Sequence, residues 1–439
     1  MQRGKILQPD TQRIAAAIDA LEPYMVRTLS DFVAAQSPSG AEQPAARYIE
    51  QAWRELGLAP ERILLDDAAL KALPLYACPC GPDDGRYNLL ARHVPAAPGG
   101  RSVLFNGHID VVPTGPAAMW SRPPYEPAVV DGWLYGRGSG DMKAGIVCAM
   151  AAYKALLDMG LRPAGTVGFN AVLNEEDTGA GTLATLNALS RATARARLED
   201  FDAVIIPEPF GEAMLRAQVG VCWMFVDLTG KPAHVAYMGS GVNPIEAGIA
   251  IMADLKELET QWNAPEHRHP AFADQPHPIN FNLGRIEGGE WNSSVPCTCT
   301  LGIRFSFYPD MTPEAARDIV AARVRATVAR LNPALTVQLR WQGQFAPGCE
   351  FDLDAPAMRA LAAAHEKATG QAPAKLACTA TTDARHFRLM TDLPVTCYGP
   401  EARNIHGIDE SVSIASMKRV ATAMAQFIVD WCGVAPAPR

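Results

Sequence analysis

The stretch Val103-Leu104-Phe105-Asn106-Gly107-His108-Ile109-Asp110-Val111-Val112-Pro113 decides how the chain is read. Its apolar run, closed by polar residues and a proline, predicts a buried strand. Side chains alternate faces along an extended backbone, so His108 and Asp110 point the same way. A neutral imidazole can bind a metal through one nitrogen while a carboxylate holds the N–H of the other. Alone, a His-x-Asp pair at a strand end is more often an ordinary hydrogen-bonded pair. The meaning of His108 therefore rests on what the other strand ends carry.

Working outward, helical spacing covers 10–36, divided near Pro23, and again 42–56. Residues 79–85 are a turn-rich connection and 87–92 a strand. After the opening strand come a hairpin at 129–136 with an Asp-Gly turn and a helix to about 158. Strand 166–173, helix 181–196 and strand 203–206 complete an α/β layout. In such sheets functional groups gather beyond the carboxyl ends of strands. Glu175 and Glu176 stand beyond one end, Glu208 beyond another, and Asp141 opens a helix. Gly136-Arg137-Gly138-Ser139-Gly140 has alternate glycines, but it matches no P-loop and lacks the third glycine of a dinucleotide fingerprint.

From about 217 the rhythm changes to strand 219–228, helix 243–260, strands 279–286 and 295–307, helix 313–331 and strand 335–341. That is β-α-β-β-α-β, a ferredoxin-like α+β unit inserted into the α/β chain. The expected organisation is a catalytic domain built from 1–216 and 347–439, with an inserted domain at 217–346. His267, His269 and His277 fall in a Pro-rich loop and read as solvated. The α/β pattern resumes with helix 355–369, a loop at 379–386, strand 394–398, a loop bearing His406, helix 413–431 and a frayed tail.

Lys and Arg number 39 against 47 Asp and Glu, a net charge of −8, which disfavours broad nucleic-acid binding. No uncharged apolar run reaches the length of a membrane span, and the first residues do not resemble a signal peptide. The ten cysteines are scattered, and Cys78-Pro-Cys80 and Cys297-Thr-Cys299 are too tight for a zinc knuckle. Reduced packing thiols in a cytoplasmic protein are the expectation.

His108, Asp141, Glu176, Glu208 and His406 are the candidate ligands, with Asp110 and Glu175 beside them. Two histidines with carboxylates and no cysteine suit zinc, manganese or cobalt. So many carboxylates are costly to cluster unless cations neutralise them, and two divalent ions sharing one carboxylate would do so. Such a pair lowers the pKa of a bridging water to about 7, and a free carboxylate must then take its proton. Glu175 and Glu176 are adjacent, so one can bind metal while the other acts as base.

The motifs NGHIDVVP, GRGSGDMKAG, NEEDTG, PEP, GKPAHVAY and NIHGIDES, in this order, resemble the di-zinc amidohydrolases. That family includes acetylornithine deacetylase, succinyl-diaminopimelate desuccinylase, aminoacylases and related carboxypeptidases. The likeness runs from about residue 28 to 431. It implies a zinc-peptidase-like catalytic domain, a ferredoxin-like lid that forms a homodimer, and two zinc ions per subunit, replaceable by cobalt or manganese. His108 and His406 would each bind one ion, Asp141 would bridge, and Glu176 and Glu208 would complete one site each. Glu175 would be general base, Asp110 would orient His108, and His234 would reach the neighbouring subunit's active site to stabilise the oxyanion. Asn292 and Arg304 would hold a substrate carboxylate, and Asp383 and Arg385 would belong to a loop lining the pocket. The implied reaction is removal of an acyl group from an N-acyl amino acid or similar small amide through a metal-bridging water. A dipeptidase or carboxypeptidase of the same family is the alternative, and a non-catalytic binding protein a more distant one. Asn174 stands where the family often has Asp, and Ala144 where it has Gly; neither is a ligand.

Overall fold

The computed structural model describes residues 9–79, 85–96, 99–191 and 195–437. The expected turn at 79–85, Cys80 and the ends of the chain lie partly or wholly outside them. The opening stretch is a strand, Val103–His108, buried along its whole length. It sits inside a six-stranded sheet, parallel to Val167–Val172 on one side and Val204–Ile206 on the other. Val395–Cys397 extends the parallel part. Tyr87–His93 and Glu61–Leu64 close the other edge in antiparallel register. Four parallel strands thus end on one side, and the residues after each end converge there.

Burial on both faces explains why these strands read as continuous apolar runs. Helix Ala144–Asp158 is apolar nearly all round because it packs between the sheet strands and helices Thr11–Ala20, Glu22–Ala34 and Ile414–Phe427. Pro23 stands in the first turn of Glu22–Ala34, where its missing N–H costs nothing.

A second sheet has the order Phe281–Gly288, Thr298–Phe307, Gly220–Thr229, Thr336–Arg340, all antiparallel. Helices Pro244–Trp262 and Pro313–Leu331 pack together, each contacting strands of this sheet. This is the β-α-β-β-α-β lid. The apolar core divides accordingly. One cluster takes residues from Ile14 to Leu215 and from Cys349 to Val434; the other runs from Ala217 to Leu335 and adds Ala377.

Several local expectations fail. Residues 379–386 are not wholly loop, because Ala384–Met390 is helical; seven residues with a buried first turn leave no periodic signal. The tail is not frayed through its length, because Val434–Pro436 pairs with Leu161–Pro163. Two of the loop histidines are partnered. His277 Nε2 lies 2.8 Å from Glu259, and His269 packs against Phe272 and Tyr308. Strand Met214–Gln218, between Cys349–Glu350 and Lys375–Cys378, crosses the expected boundary at 216/217.

Candidate metal centre and active site

His108 closes the opening strand and is 1% exposed. Its Nδ1 lies 3.0 Å from the main-chain oxygen of Asp110, which leaves Nε2 free to face the site. Nε2 lies 3.0 Å from Asp141 Oδ1 and 3.7 Å from Glu208 Oε1. The other oxygen, Asp141 Oδ2, lies 3.3 Å from His406 Nε2, which is 2.9 Å from Glu176 Oε2. Asp141 therefore presents one oxygen to each histidine, and a separate carboxylate accompanies each. Donor atoms of His108, Asp141 and Glu208, and those of Asp141, Glu176 and His406, lie within 4.8 Å of one another.

Burial pushes the Glu175 and Glu208 carboxyls well up, and neighbouring carboxylates add to the push. Burial would lower both imidazoles. For His108 the bond to Asp141 and the charge of Glu208 outweigh it, and the ring is held well above its ordinary value. Asp141 and Glu176 do the same for His406, pushing it to about 11. Burial would raise Asp141, but the two histidines hold it low. Two histidines with three carboxylates are a donor set that fits two divalent ions, whose charge would offset the clustered carboxylates.

Asp110 serves the site differently from a simple His-orienting carboxylate. Its carboxylate is 3.7 Å from His108 Nδ1, but it accepts the main-chain N–H of Glu175 at 3.3 Å and of Glu176 at 3.2 Å. It thus fixes the turn that carries the two glutamates. Asn174 precedes them with φ +60 and accepts from Arg86. Among the described residues the buried Glu175 Oε1 has no hydrogen-bond partner, and the Glu175 main-chain oxygen accepts from Gln344 Nε2 at 2.8 Å.

Glu410 escaped the sequence reading. It is 1% exposed, and its carboxylate accepts the N–H groups of Gly138 and Gly140 at 2.9 Å and of Asp141 at 3.0 Å. Arg137 Nη1 donates to it at 2.6 Å and Arg137 Nη2 to Gly407 O at 2.9 Å. The glycine-rich stretch is an anion nest, and its anion is part of the chain. A Cβ on Gly140 would come within 2.6 Å of the Ala402 Cβ, so the close approach requires glycine. Glu410 joins the loop bearing His406 to the loop bearing Asp141. The only sequence signal was its place in NIHGIDES.

The remaining expected residues separate. Arg304 lines a cavity of about 730 Å³ that also reaches Glu175, Glu176 and His406. Asp383 and Arg385 do not line it, although Ala380 and Thr381 do. Asp383 accepts from Thr182 at 2.7 Å, and Arg385 donates to the main-chain oxygens of Thr382 and Thr178 and to Gln344 Oε1. Both lie behind the site, where Arg385 braces Gln344 and through it Glu175. His234 and Asn292 are exposed on the lid, and His234 Nδ1 accepts the nearby Ala236 N–H.

Residues 104–430 match the sequence profile of Peptidase family M20/M25/M40. The chain belongs to this family. Relatives within reach of sequence include the N-formyl-4-amino-5-aminomethyl-2-methylpyrimidine deformylase of Bacillus subtilis (strain 168), 28% identical over 75% of this chain and 79% of the relative. The succinyl-diaminopimelate desuccinylase of Phenylobacterium zucineum (strain HLK1) is 27% identical over 95% of this chain and 100% of the relative. Among solved structures, the di-peptidase Dug1p from Saccharomyces cerevisiae superposes with a TM-score of 0.79 at 15% identity, over 97% of this chain and 99% of that one. M20/M25/M40 membership makes the chain a metal-dependent hydrolase, and its α/β sheet with an inserted lid is the fold shared with that structure. No helix among the described residues is long and apolar enough to cross a membrane.

Proposed function

We propose that the protein is a di-metal amidohydrolase that removes the acyl group from an N-acyl amino acid or a similar small N-acylated amine. The observation that carries this reading is Asp141, whose two oxygens face His108 and His406 at 3.0 and 3.3 Å, each histidine with its own further carboxylate. His108, Asp141 and Glu208 would hold one ion, and Asp141, Glu176 and His406 the other. Zinc suits this donor set, with cobalt or manganese as substitutes. Bound there, two divalent ions would polarise the amide carbonyl and make a water acidic enough to attack it near neutral pH.

Glu175 then has a defined task. Its buried oxygen, without a hydrogen-bond partner among the described residues, would take a proton from the attacking water and pass it to the leaving nitrogen. Water adds to the carbonyl carbon, the C–N bond breaks, and the products are a carboxylic acid and an amine. His234, on a neighbouring copy in a lid-mediated homodimer, would donate to the developing oxyanion. Arg304 would hold a substrate carboxylate, with Asn292 assisting.

The charge of the cavity favours a deacylase over a dipeptidase. A free amino group wants an acidic anchor, and the acidic residues among those lining the cavity are Glu175 and Glu176, both already engaged at the centre. The other charged side chains of its lining, besides His406, are Arg285 and Arg304. Arg304 donates to the main-chain oxygens of Asn280 and Thr379, and no carboxylate pairs with it among the described residues. A cytoplasmic location fits the nine described cysteines, all free thiols.

The deciding experiment measures metal content and hydrolysis of a panel of N-acyl amino acids by released amine. Two ions per chain and loss of activity on chelation, restored by zinc or cobalt, are expected. Full activity after exhaustive chelation overturns the reading.

A further inference from the structure

Glu175 and Glu176 share one peptide group, and that group is held at both ends. Its N–H, on Glu176, donates to Asp110 Oδ2 at 3.2 Å, and its carbonyl, on Glu175, accepts from Gln344 Nε2 at 2.8 Å. A peptide is a rigid plane, so the two bonds together fix its rotation. That rotation sets where both glutamate side chains begin. Asp110 belongs to the catalytic domain, whereas Gln344 comes from the lid.

The main chain around Gln344 is part of the lid sheet. Its carbonyl accepts the Trp223 N–H at 2.9 Å, and Phe345 and Ala346 pair with Cys222 and Val221. Its side chain crosses to the catalytic domain and is 5% exposed. Arg385 orients the amide. A guanidinium has donors and no acceptor, so Oε1 must face Arg385 Nη2, at 3.3 Å, and Nε2 is left for the Glu175 carbonyl. Arg385 is itself buried and tied to Thr382 O at 2.8 Å and Thr178 O at 3.1 Å.

A second glutamine repeats the arrangement where the chain enters the lid. Gln218 is fully buried, donates to Thr381 Oγ1 at 3.1 Å and accepts from Thr382 Oγ1 at 2.7 Å. Arg385 Nη1 reaches the same Thr381 hydroxyl at 3.3 Å. Both crossings between the domains thus end on one buried cluster, and the peptide of Glu175 is bonded to it. We propose that Gln344 is a positioning residue for Glu175, and that through its amide the lid sets the rotation of the Glu175–Glu176 peptide. This rests on the reading of Glu175 as general base given above.

The test compares Gln344→Glu with the wild type as cobalt-loaded full chains. The new carboxylate can still accept from Arg385 but has no N–H for the Glu175 carbonyl. On the N-acyl amino acid that the wild type hydrolyses fastest, kcat is expected to fall about 10²-fold, the cost of displacing a reacting group by about 1 Å, with KM within about threefold. Two ions should remain bound, and the visible absorption of the cobalt should shift, because Glu176 shares the peptide that turns. Gln344→Met, similar in length and uncharged, should show the same loss and is read in its place if Gln344→Glu does not fold. A wild-type kcat overturns the inference, because the amide is then a packing group. A raised KM at full kcat overturns it too, because Gln344 is then a substrate contact. No turnover of any N-acyl amino acid by the wild type removes the deacylase reading alone. The cobalt absorption then decides, a shift supporting the inference and an unchanged band overturning it.

Discussion

The two ends of the cavity are built on different terms. At the metal end every candidate ligand belongs to one chain, and main-chain bonds fix their surroundings: Asp110 holds the Glu175–Glu176 turn, and Glu410 holds the Asp141 loop to the His406 loop. At the lid end, Arg304 is fixed in the sheet, whereas His234 and Asn292 are exposed. The difference is informative. Loops that follow parallel strand ends bring the candidate ligands together within one chain. The lid end leaves two of its expected residues exposed to solvent.

The sharpest break of this contrast is at Glu175. Replacing it with Gln keeps the shape but removes the proton acceptor, and turnover should fall by about 10³-fold with metal content unchanged. A variant that keeps its turnover would move the base elsewhere. Glu410→Ala comes next. It leaves Arg137 and three N–H groups without their anion, and metal-free protein should lose about 3–5 kcal/mol in urea unfolding and bind metal more weakly. Unaltered metal affinity would mean that the nest does not position Asp141.

His234→Ala probes the lid directly. Loss of one oxyanion donor should cost about 10²-fold in kcat. If the histidine serves the neighbouring subunit, mixing His234→Ala protein with Glu175→Ala protein should restore activity, because the hybrid contains one site with both groups. No recovery under conditions of subunit exchange would place His234 outside the partner's site.

The smallest effect lies in the lid's own frame. Burial would raise the Asp254 carboxyl, but the Thr327 hydroxyl at 2.6 Å and the Arg323 guanidinium at 2.8 Å outweigh it and hold it low. A depressed carboxylate stabilises the fold above its unfolded value of about 3.9, and the effect fades as pH falls through the folded one. Asp254→Asn should therefore cost about 1 kcal/mol at pH 7. The calorimetric difference in Tm between variant and wild type should shrink as pH drops below 4.

The candidate ligand set was legible because it rests on local properties. Apolar runs mark buried strands, alternation tells which side chains share a face, and the residues just past a strand end have few other places to go. His108, Glu176 and Glu208 were found that way, and the lid's strand and helix order followed from periodicity. The helix Ala384–Met390 was too short for that signal, and the histidines at 269 and 277 found partners that no spacing could announce.

What tertiary structure alone decided is which distant groups meet. Glu410 filling the Gly138–Asp141 nest, Gln344 reaching the Glu175 carbonyl, and Arg385 turned inward to brace it all depend on segments far apart in sequence coming within hydrogen-bond distance. The pairing of Trp223 with Arg304 is likewise a matter of register, set by how the whole lid sheet is stacked. Residue type and period fix a side chain's chemistry and its face; its partner is fixed only when the chain closes on itself.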